Sequence, residues 1–377
     1  MTALFSFSHP SMPRHPRLFL CYGRGVYSYD MSRGTRIFLL SFVILLSGVG
    51  SFFVYTQHAL TLVDLSALPY EEKTNYWESR IRDHGSEHAF AEFKASIDSV
   101  PPVERHWEQH LFGNALYAVH GLDGIALCDD SFDNACFHSF MISGIEEFGV
   151  AATDKLHEAC VTRLGTDAYT CLHGLGHALL GVFGYTQEGL VQAIAVCDAH
   201  PDPDRRSVNH GCVNGAFMEY NSPMDIAGYE PRPFSEDDAF TPCTSFNDRT
   251  HRSACTYAQL YWWFSSLKHE EPAERLAHIG VLCRRMNATD AEMYQVCIQG
   301  AGNALDTTVD YDPTKVADAC ATIDPDPAMR LMCQKNAAIR FSFYSSLETA
   351  LQACDGLPDT DKNTCRTYLS NSVVNKK

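Results

Sequence analysis

Fourteen of the fifteen cysteines lie in the C-terminal two thirds of the chain and fall into seven consecutive couples. Members of a couple are 8 to 15 residues apart, and the first members recur every 32 to 46 residues. A drifting period of about forty residues is typical of stacked helical hairpins. An even number of cysteines at such spacings also indicates disulfide bonds, and hence an oxidising compartment. The couples are Cys128 and Cys136, Cys160 and Cys171, Cys197 and Cys212, Cys243 and Cys255, Cys283 and Cys297, Cys320 and Cys333, Cys354 and Cys365.

The segments on either side of these cysteines have helical patterns. LVQAIAVC ends at Cys197, CTYAQLYWWFSSL begins at Cys255, and turn-rich stretches such as ATIDPDPAMRLM lie within the couples. We therefore predict an all-α fold, an α/α helical-hairpin repeat solenoid with about seven disulfides that join neighbouring hairpins. Fourteen cysteines permit many connectivities, and pairing within each couple is the most economical. Each such bridge would stabilise the fold by ~3 kcal/mol in the loop-closure model.

One couple at each helical junction, as at Cys128 and Cys136, resembles the cysteine-rich Sel1-like repeat proteins. The resemblance covers roughly residues 100–370, and GVFGYTQEGLVQA carries part of the glycine and tyrosine pattern of that family. The later couples of this chain are wider than is usual there. The resemblance implies an α/α superhelix outside the cytoplasm that binds a protein or peptide, and it implies no particular enzyme activity.

A single apolar run extends from Ile37 to Tyr55 and contains no charge over 19 residues. This length can cross the hydrocarbon core of a bilayer as one helix. Arginines crowd its N-terminal side, whereas the first basic residue after it is Lys73. The positive-inside rule therefore predicts a signal-anchor helix with the N-terminus in the cytoplasm. A cleaved signal peptide is the alternative.

These observations divide the chain into four parts. Residues 1–36 are predicted as a cytoplasmic tail, with Met31 as an alternative start, and residues 37–55 as the transmembrane helix. Residues 56–100 form a polar, partly helical stalk or first hairpin. Residues 101–373 form the disulfide-stapled repeat domain, in a periplasmic, luminal or extracellular compartment. Apart from a local charge of +4 in residues 1–36, the chain is acidic, with a net charge of −17 overall. Such a surface repels phosphate backbones, so we expect no nucleic-acid partner.

Histidines supply the candidate chemistry. His173 and His177 are four residues apart in CLHGLGHAL, which places both imidazoles on one face of a helix, where a metal ion can bridge them. His138 or His210 could supply a third ligand. No cofactor is fixed by the sequence, but such a site could hold a divalent transition metal or a non-covalent haem, since the CxxCH signature of covalent haem is absent. The alternative is that these histidines are ordinary buried side chains and that the glycines between them permit close helix packing.

Equivalent positions in the other repeats are polar as well. CLHGLGHAL matches CIQGAGNAL, so Gln299 and Asn303 correspond to His173 and His177, and Asn214 holds the first of these positions after Cys212. Equivalent positions of stacked repeats share one face, so we predict that these residues face a ligand. His106, His110 and His120 are instead predicted to lie on a solvated polar face, because histidine is mostly exposed.

Two functions follow from the sequence. The first is a membrane-anchored binding or scaffold protein that presents a rigid helical face to a protein or peptide partner. The second is a metal-dependent or haem-dependent enzyme built around His138, His173, His177 and His210. The arrangement of the histidines and of Gln299 and Asn303 in space would discriminate between them.

Overall fold

The structure is a computed structural model that describes residue 65 and residues 68–201, 211–222 and 232–374. Every regular element in these ranges is a helix, which confirms the predicted all-α class. The α-helices are α1 (Tyr70–His84), α2 (Ser86–Ser96), α3 (Pro102–His120), α4 (Ser131–Phe148), α5 (Thr153–Leu164), α6 (Ala168–Phe183), α7 (Gln187–Ala199), α8 (Gly211–Asn221), α9 (Arg249–Ser266), α10 (Pro272–Asn287), α11 (Ala291–Ala304), α12 (Val316–Ile323), α13 (Pro327–Ser342), α14 (Leu347–Ala350) and α15 (Asp359–Val374).

Short 3₁₀ segments connect several of these helices and complete the regular structure of the described ranges. They are Gly121–Leu127, Gly149–Ala152, Gly165–Asp167, Glu236–Asp238, Cys243–Ser245, Pro313–Lys315 and Leu351–Cys354.

Local sequence explains where many helices begin. The Asp290 carboxylate accepts the backbone N–H groups of Glu292 and Met293 at the start of α11. Asp326 caps α13 in the same way, and Pro327 follows it at the first helical position, where no N–H is needed. The turn-rich stretch between Cys320 and Cys333 therefore ends one helix and starts the next.

The cysteines pair within each couple, as predicted. All seven bridges have Cα–Cα distances of 5.3–5.8 Å, within the usual range for disulfides. Every second cysteine lies on an α-helix, namely α4, α6, α8, α9, α11, α13 or α15. Each bridge thus connects one of these seven helices to the chain segment that precedes it.

The seven helices that carry a second cysteine pack side by side in chain order. Contacts run from α4 to α6, α6 to α8, α8 to α9, α9 to α11, α11 to α13 and α13 to α15, and α3 adds to the start of the series against α4. The intervening elements α5, α7, α10 and α12 pack outside this series, against the helices next to them in the chain. Large buried side chains such as Phe137, Phe217 and Trp263 fill the layer between.

Among the residues described, no helix is both long enough and apolar enough to cross a bilayer. The predicted cytoplasmic tail (residues 1–36) and transmembrane helix (residues 37–55) lie outside the described ranges. Within the predicted stalk, residues 70–84 and 86–96 form α1 and α2, and α1 packs against α3.

Candidate metal centre and adjoining cavity

Five histidines from three neighbouring helices form one buried cluster. His106 and His110 lie on α3, His138 on α4, and His173 and His177 on α6, and their exposed fractions are only 1–8%. The His138 ring is central, because its centroid lies 4.5–5.5 Å from those of the other four. The structure thus brings together three of the four candidate ligands, His138, His173 and His177, and adds His106 and His110.

The prediction that His106 and His110 face solvent is wrong. Helix α3 packs against α1 and also against α4, so that little of its surface is left for water. His120, at the end of α3, is exposed as predicted. A signal for the buried pair was present in the sequence, since HWEQH has the same spacing of four residues as the pair on α6.

The pair on α6 is held by a carboxylate. His177 Nδ1 lies 2.7 Å from Glu219 Oε2 on α8, and Glu219 Oε1 accepts a hydrogen bond of 2.8 Å from the Tyr185 hydroxyl. A carboxylate accepts hydrogen bonds, so His177 Nδ1 donates the proton of this contact, and in the neutral tautomer the lone pair is on Nε2. That Nε2 is 3.1 Å from His173 Nε2. No local motif in the sequence marks Glu219.

The pair on α3 has the same arrangement with a backbone partner. His106 Nδ1 lies 2.8 Å from the carbonyl oxygen of Phe132, which can only accept, so His106 Nε2 carries the lone pair. His110 Nε2 lies 3.2 Å from this nitrogen. On each of the two helices, therefore, the Nε2 atoms of the two histidines face each other.

The distances within the pairs suit either a proton or a metal ion. Two nitrogens bound at about 2.05 Å to a tetrahedral ion are ~3.3 Å apart. An N–H···N hydrogen bond has nearly the same length, so the decisive residue is His138. Both of its ring nitrogens are buried, and neither has a hydrogen-bond partner among the residues that the structure describes. Leaving one such group without a partner costs ~1–3 kcal/mol, which favours a ligand between these side chains.

Burial favours the neutral, metal-binding form of three of these histidines, His106, His110 and His138. It lowers the pKa of His106 to about 4, and it lowers the pKa values of His110 and His138 well below the usual histidine value. A neutral imidazole has a free lone pair, whereas a protonated one has none. The possible ligand atoms form two groups of three residues, and the atoms within each group lie within 4.8 Å of one another. One group is His138 with His173 and His177, and the other is His138 with His106 and His110.

A cavity of about 110 Å³ adjoins the cluster through His173. Since one water needs ~10–15 Å³, the space suits several waters or one small molecule. Its wall is contributed by α4, α6, α8, α9, α11, α13 and α15, so it lies at the centre of the helices that carry the second cysteines. The lining residues are Asp133, Asn134, Thr170, His173, Asn214, Met218, Tyr257, Tyr261, Asn303, Asn336, Ile339, Arg340, Phe343 and Tyr368.

Two of the three residues predicted to face a ligand lie in the cavity wall. Asn214 and Asn303 line the cavity, whereas Gln299 is half-buried on α11 and does not. His210 lies outside the described residues. Asn134 and Asn336 were missed because they do not occupy the repeat positions that the cysteines mark.

Arg340 on α13 connects a late helix of the series to an early one. Its guanidinium contacts Asp133 on α4, 207 residues away in sequence, and its Nε donates to Asp306 Oδ2 at 2.8 Å. Although burial alone would raise the pKa of Asp133, the Arg340 charge holds it below the usual value. Arg340 thus faces the cavity with its charge already balanced by two carboxylates.

A strained turn joins the histidine cluster to the cavity. Phe132, Asp133 and Asn134 have φ values of 49°, 60° and 63°, in the left-handed region that residues other than glycine seldom adopt. This turn directs the Phe132 carbonyl to His106 and places Asp133 and Asn134 in the cavity wall. Such strain persists where surrounding contacts hold it, and it is concentrated at functional sites.

No protein-family model, curated protein or solved structure matches this chain, so its function is argued from the geometry of this site.

Proposed function

We propose that this chain is a metal-dependent enzyme that holds a divalent transition metal with His138, His173 and His177 and acts on a small polar molecule. The observation that carries the proposal is His138, whose two buried ring nitrogens have no partner among the described residues although four imidazoles surround them. Three imidazoles with a further coordination position open are the ligand set of catalytic metal sites.

The surroundings of the three ligands support the same interpretation. Glu219 holds the His177 ring as carboxylates behind metal-binding histidines commonly do, and that contact orients the ring and raises its basicity. His173 reaches both the cluster and the cavity, so a molecule in the cavity would lie beside the ion. Imidazole ligands suit zinc, copper, iron and nickel, and a bound ion would supply an activated water or a redox centre.

The cavity favours an ion over haem and a small molecule over a large one. Its volume of about 110 Å³ is well below the ~300 Å³ at which pockets for larger organic ligands begin. Asparagine amides and tyrosine hydroxyls dominate the polar wall, and Arg340 is already paired with Asp133 and Asp306. These groups suit a polar molecule without a strong net charge.

The architecture and location complete the proposal. The helices that carry the second cysteines would be repeats of an α/α solenoid, related in architecture to Sel1-like proteins, with each disulfide between neighbouring hairpins. Ile37–Tyr55 would anchor the chain so that the disulfide-bonded domain lies outside the cytoplasm. Binding of a protein or peptide partner, which the sequence favours, stays a prediction.

Metal analysis tests the proposal. The full chain, produced in an oxidising compartment and purified in detergent, should contain a transition metal, and His177→Ala should lower the affinity of the site formed by His138, His173 and His177 by at least tenfold. The double variant H84A/H88A is a matched control, because it removes an exposed pair of histidines with the same spacing. Absence of a bound metal after reloading with zinc or copper would refute the proposed function.

A further inference from the structure

The second group of imidazoles, on α3, is as well prepared for a metal ion as the first. His106 and His110 are 6% and 2% exposed, and their Nε2 atoms lie 3.2 Å apart. The Phe132 carbonyl fixes the His106 tautomer, as Glu219 fixes that of His177. A solvated pair of histidines would have no such arrangement, and nothing in the proposed function uses it.

One ion cannot use both pairs. Two nitrogens bound to the same ion at about 2.1 Å are at most ~4.2 Å apart. The five histidines instead form two groups of three, and within each group the ligand atoms lie within 4.8 Å of one another. Of these five residues, His138 alone belongs to both groups. An imidazole has two ring nitrogens on different sides of the ring, so one residue can serve two ions.

Building on the proposed function, we propose that the cluster is a dinuclear metal centre in which His138 bridges two divalent ions, one on His106 and His110 and the other on His173 and His177. Both nitrogens of His138 bind in this arrangement. Its N–H bond breaks, a nitrogen–metal bond forms, and the proton leaves to solvent, so the ring becomes an imidazolate with one negative charge. The lack of a hydrogen-bond partner for either nitrogen of His138 among the described residues is thereby explained.

The two ions would have different surroundings. The ion on α6 would face the cavity through His173, whereas neither His106 nor His110 lines that cavity. Asp133, which belongs to the strained turn and pairs with Arg340, interacts electrostatically with both His106 and His173, so its carboxylate would offset part of the positive charge of the pair of ions. We expect the ion on α6 to meet the small molecule and the ion on α3 to act through the bridge.

Copper loading of the metal-free full chain tests the bridge. The wild-type chain should bind two Cu²⁺ ions, and their electron-spin-resonance intensity should fall well below that of two isolated ions, because an imidazolate couples the two spins antiferromagnetically. H106A/H110A should bind one ion with its full intensity, and H84A/H88A should behave like the wild type. His138→Gln should abolish the coupling and weaken both sites.

The outcomes separate this inference from the proposed function. One ion per wild-type chain, or two ions with uncoupled spins, would overturn the bridge and leave the single centre on α6 intact. No bound ion would overturn both. If H106A/H110A does not fold by far-ultraviolet circular dichroism, His106→Gln provides the same test, because it keeps a donor for the Phe132 carbonyl.

Discussion

Helices α6 and α11 are built on the same pattern but carry different chemistry. The matching segments are CLHGLGHAL for α6 and CIQGAGNAL for α11. Each starts at the second cysteine of a couple and has glycines three and five residues after it. A Cβ at Gly174 would lie 2.7 Å from the carbonyl oxygen of Phe137 on α4. A Cβ at Gly300 would lie 2.5 Å from the carbonyl oxygen of Tyr257 on α9. Gly176 and Gly302 approach the following helices at the carbonyls of Cys212 and Cys333 in the same way.

The side chains at the matching polar positions differ in what they contact. His173 and His177 turn to other imidazoles and to Glu219, whereas Asn303 donates a hydrogen bond of 2.5 Å to the Tyr261 hydroxyl. Glycines and disulfides thus set the spacing of the helices, and the residues between them can change without altering it. One scaffold can therefore carry a cluster of histidines on one side of the cavity and an amide-lined wall on the other.

Exchanging the polar residues of α6 for those of α11 should have the largest effect. The double variant H173Q/H177N removes two imidazoles and leaves both glycines and the disulfide, so the ion held by α6 should be lost while the fold persists. The metal content of the purified variant checks the first expectation, and far-ultraviolet circular dichroism checks that the fold persists. Loss of helicity would show that the histidines are part of the packing that we assign to the glycines.

Removing the disulfide in front of each helix should destabilise both regions to a similar extent. Cys160 and Cys171 close a loop of 11 residues and Cys283 and Cys297 one of 14, so replacing either couple by alanine should cost about 2–5 kcal/mol. Urea unfolding of the metal-free chain measures this free energy. Replacing Cys160 and Cys171 should also lower metal affinity, whereas replacing Cys283 and Cys297 should not. An equal loss of metal affinity in both variants would contradict the local role of α6.

Alanine at the glycines should cost less. Gly176→Ala and Gly302→Ala force a methyl group against the backbone of the next helix, and each should destabilise by about 1–3 kcal/mol in the same unfolding measurement. Gly181→Ala on α6 is the control, because that position faces open space and alanine there should stabilise the helix by up to ~1 kcal/mol. A neutral Gly302→Ala would break the structural equivalence of α6 and α11.

The carboxylate behind α6 should have the smallest effect of the four. Glu219→Gln keeps the shape of the side chain but weakens the orientation of His177, so metal affinity should fall about 10- to 100-fold. Competition with a chromophoric chelator measures it. Glu147→Gln is the control, because Glu147 also accepts a hydrogen bond from a tyrosine hydroxyl, at 2.6 Å from Tyr117, but contacts no member of the cluster.

Local patterns in the sequence were sufficient for several features of this protein. Couples of cysteines separated by turn residues determined the helical class and the pairing of all seven bridges, because short loops between helix ends bring such cysteines together. The spacing of His173 and His177 placed both rings on one helix face, since residues four apart are neighbours there. These features depend on residues close together in the chain.

Only the tertiary structure decided the rest. The burial of His106 and His110, the contact between Glu219 and His177, and the pairing of Arg340 with Asp133 all join different helices. No local period encodes such contacts, because they depend on how α3, α4, α6, α8 and α13 pack around a common centre. The sequence by itself determined which side chains could bind a metal, and packing determined which of them meet, how they are protonated and that a cavity lies beside them.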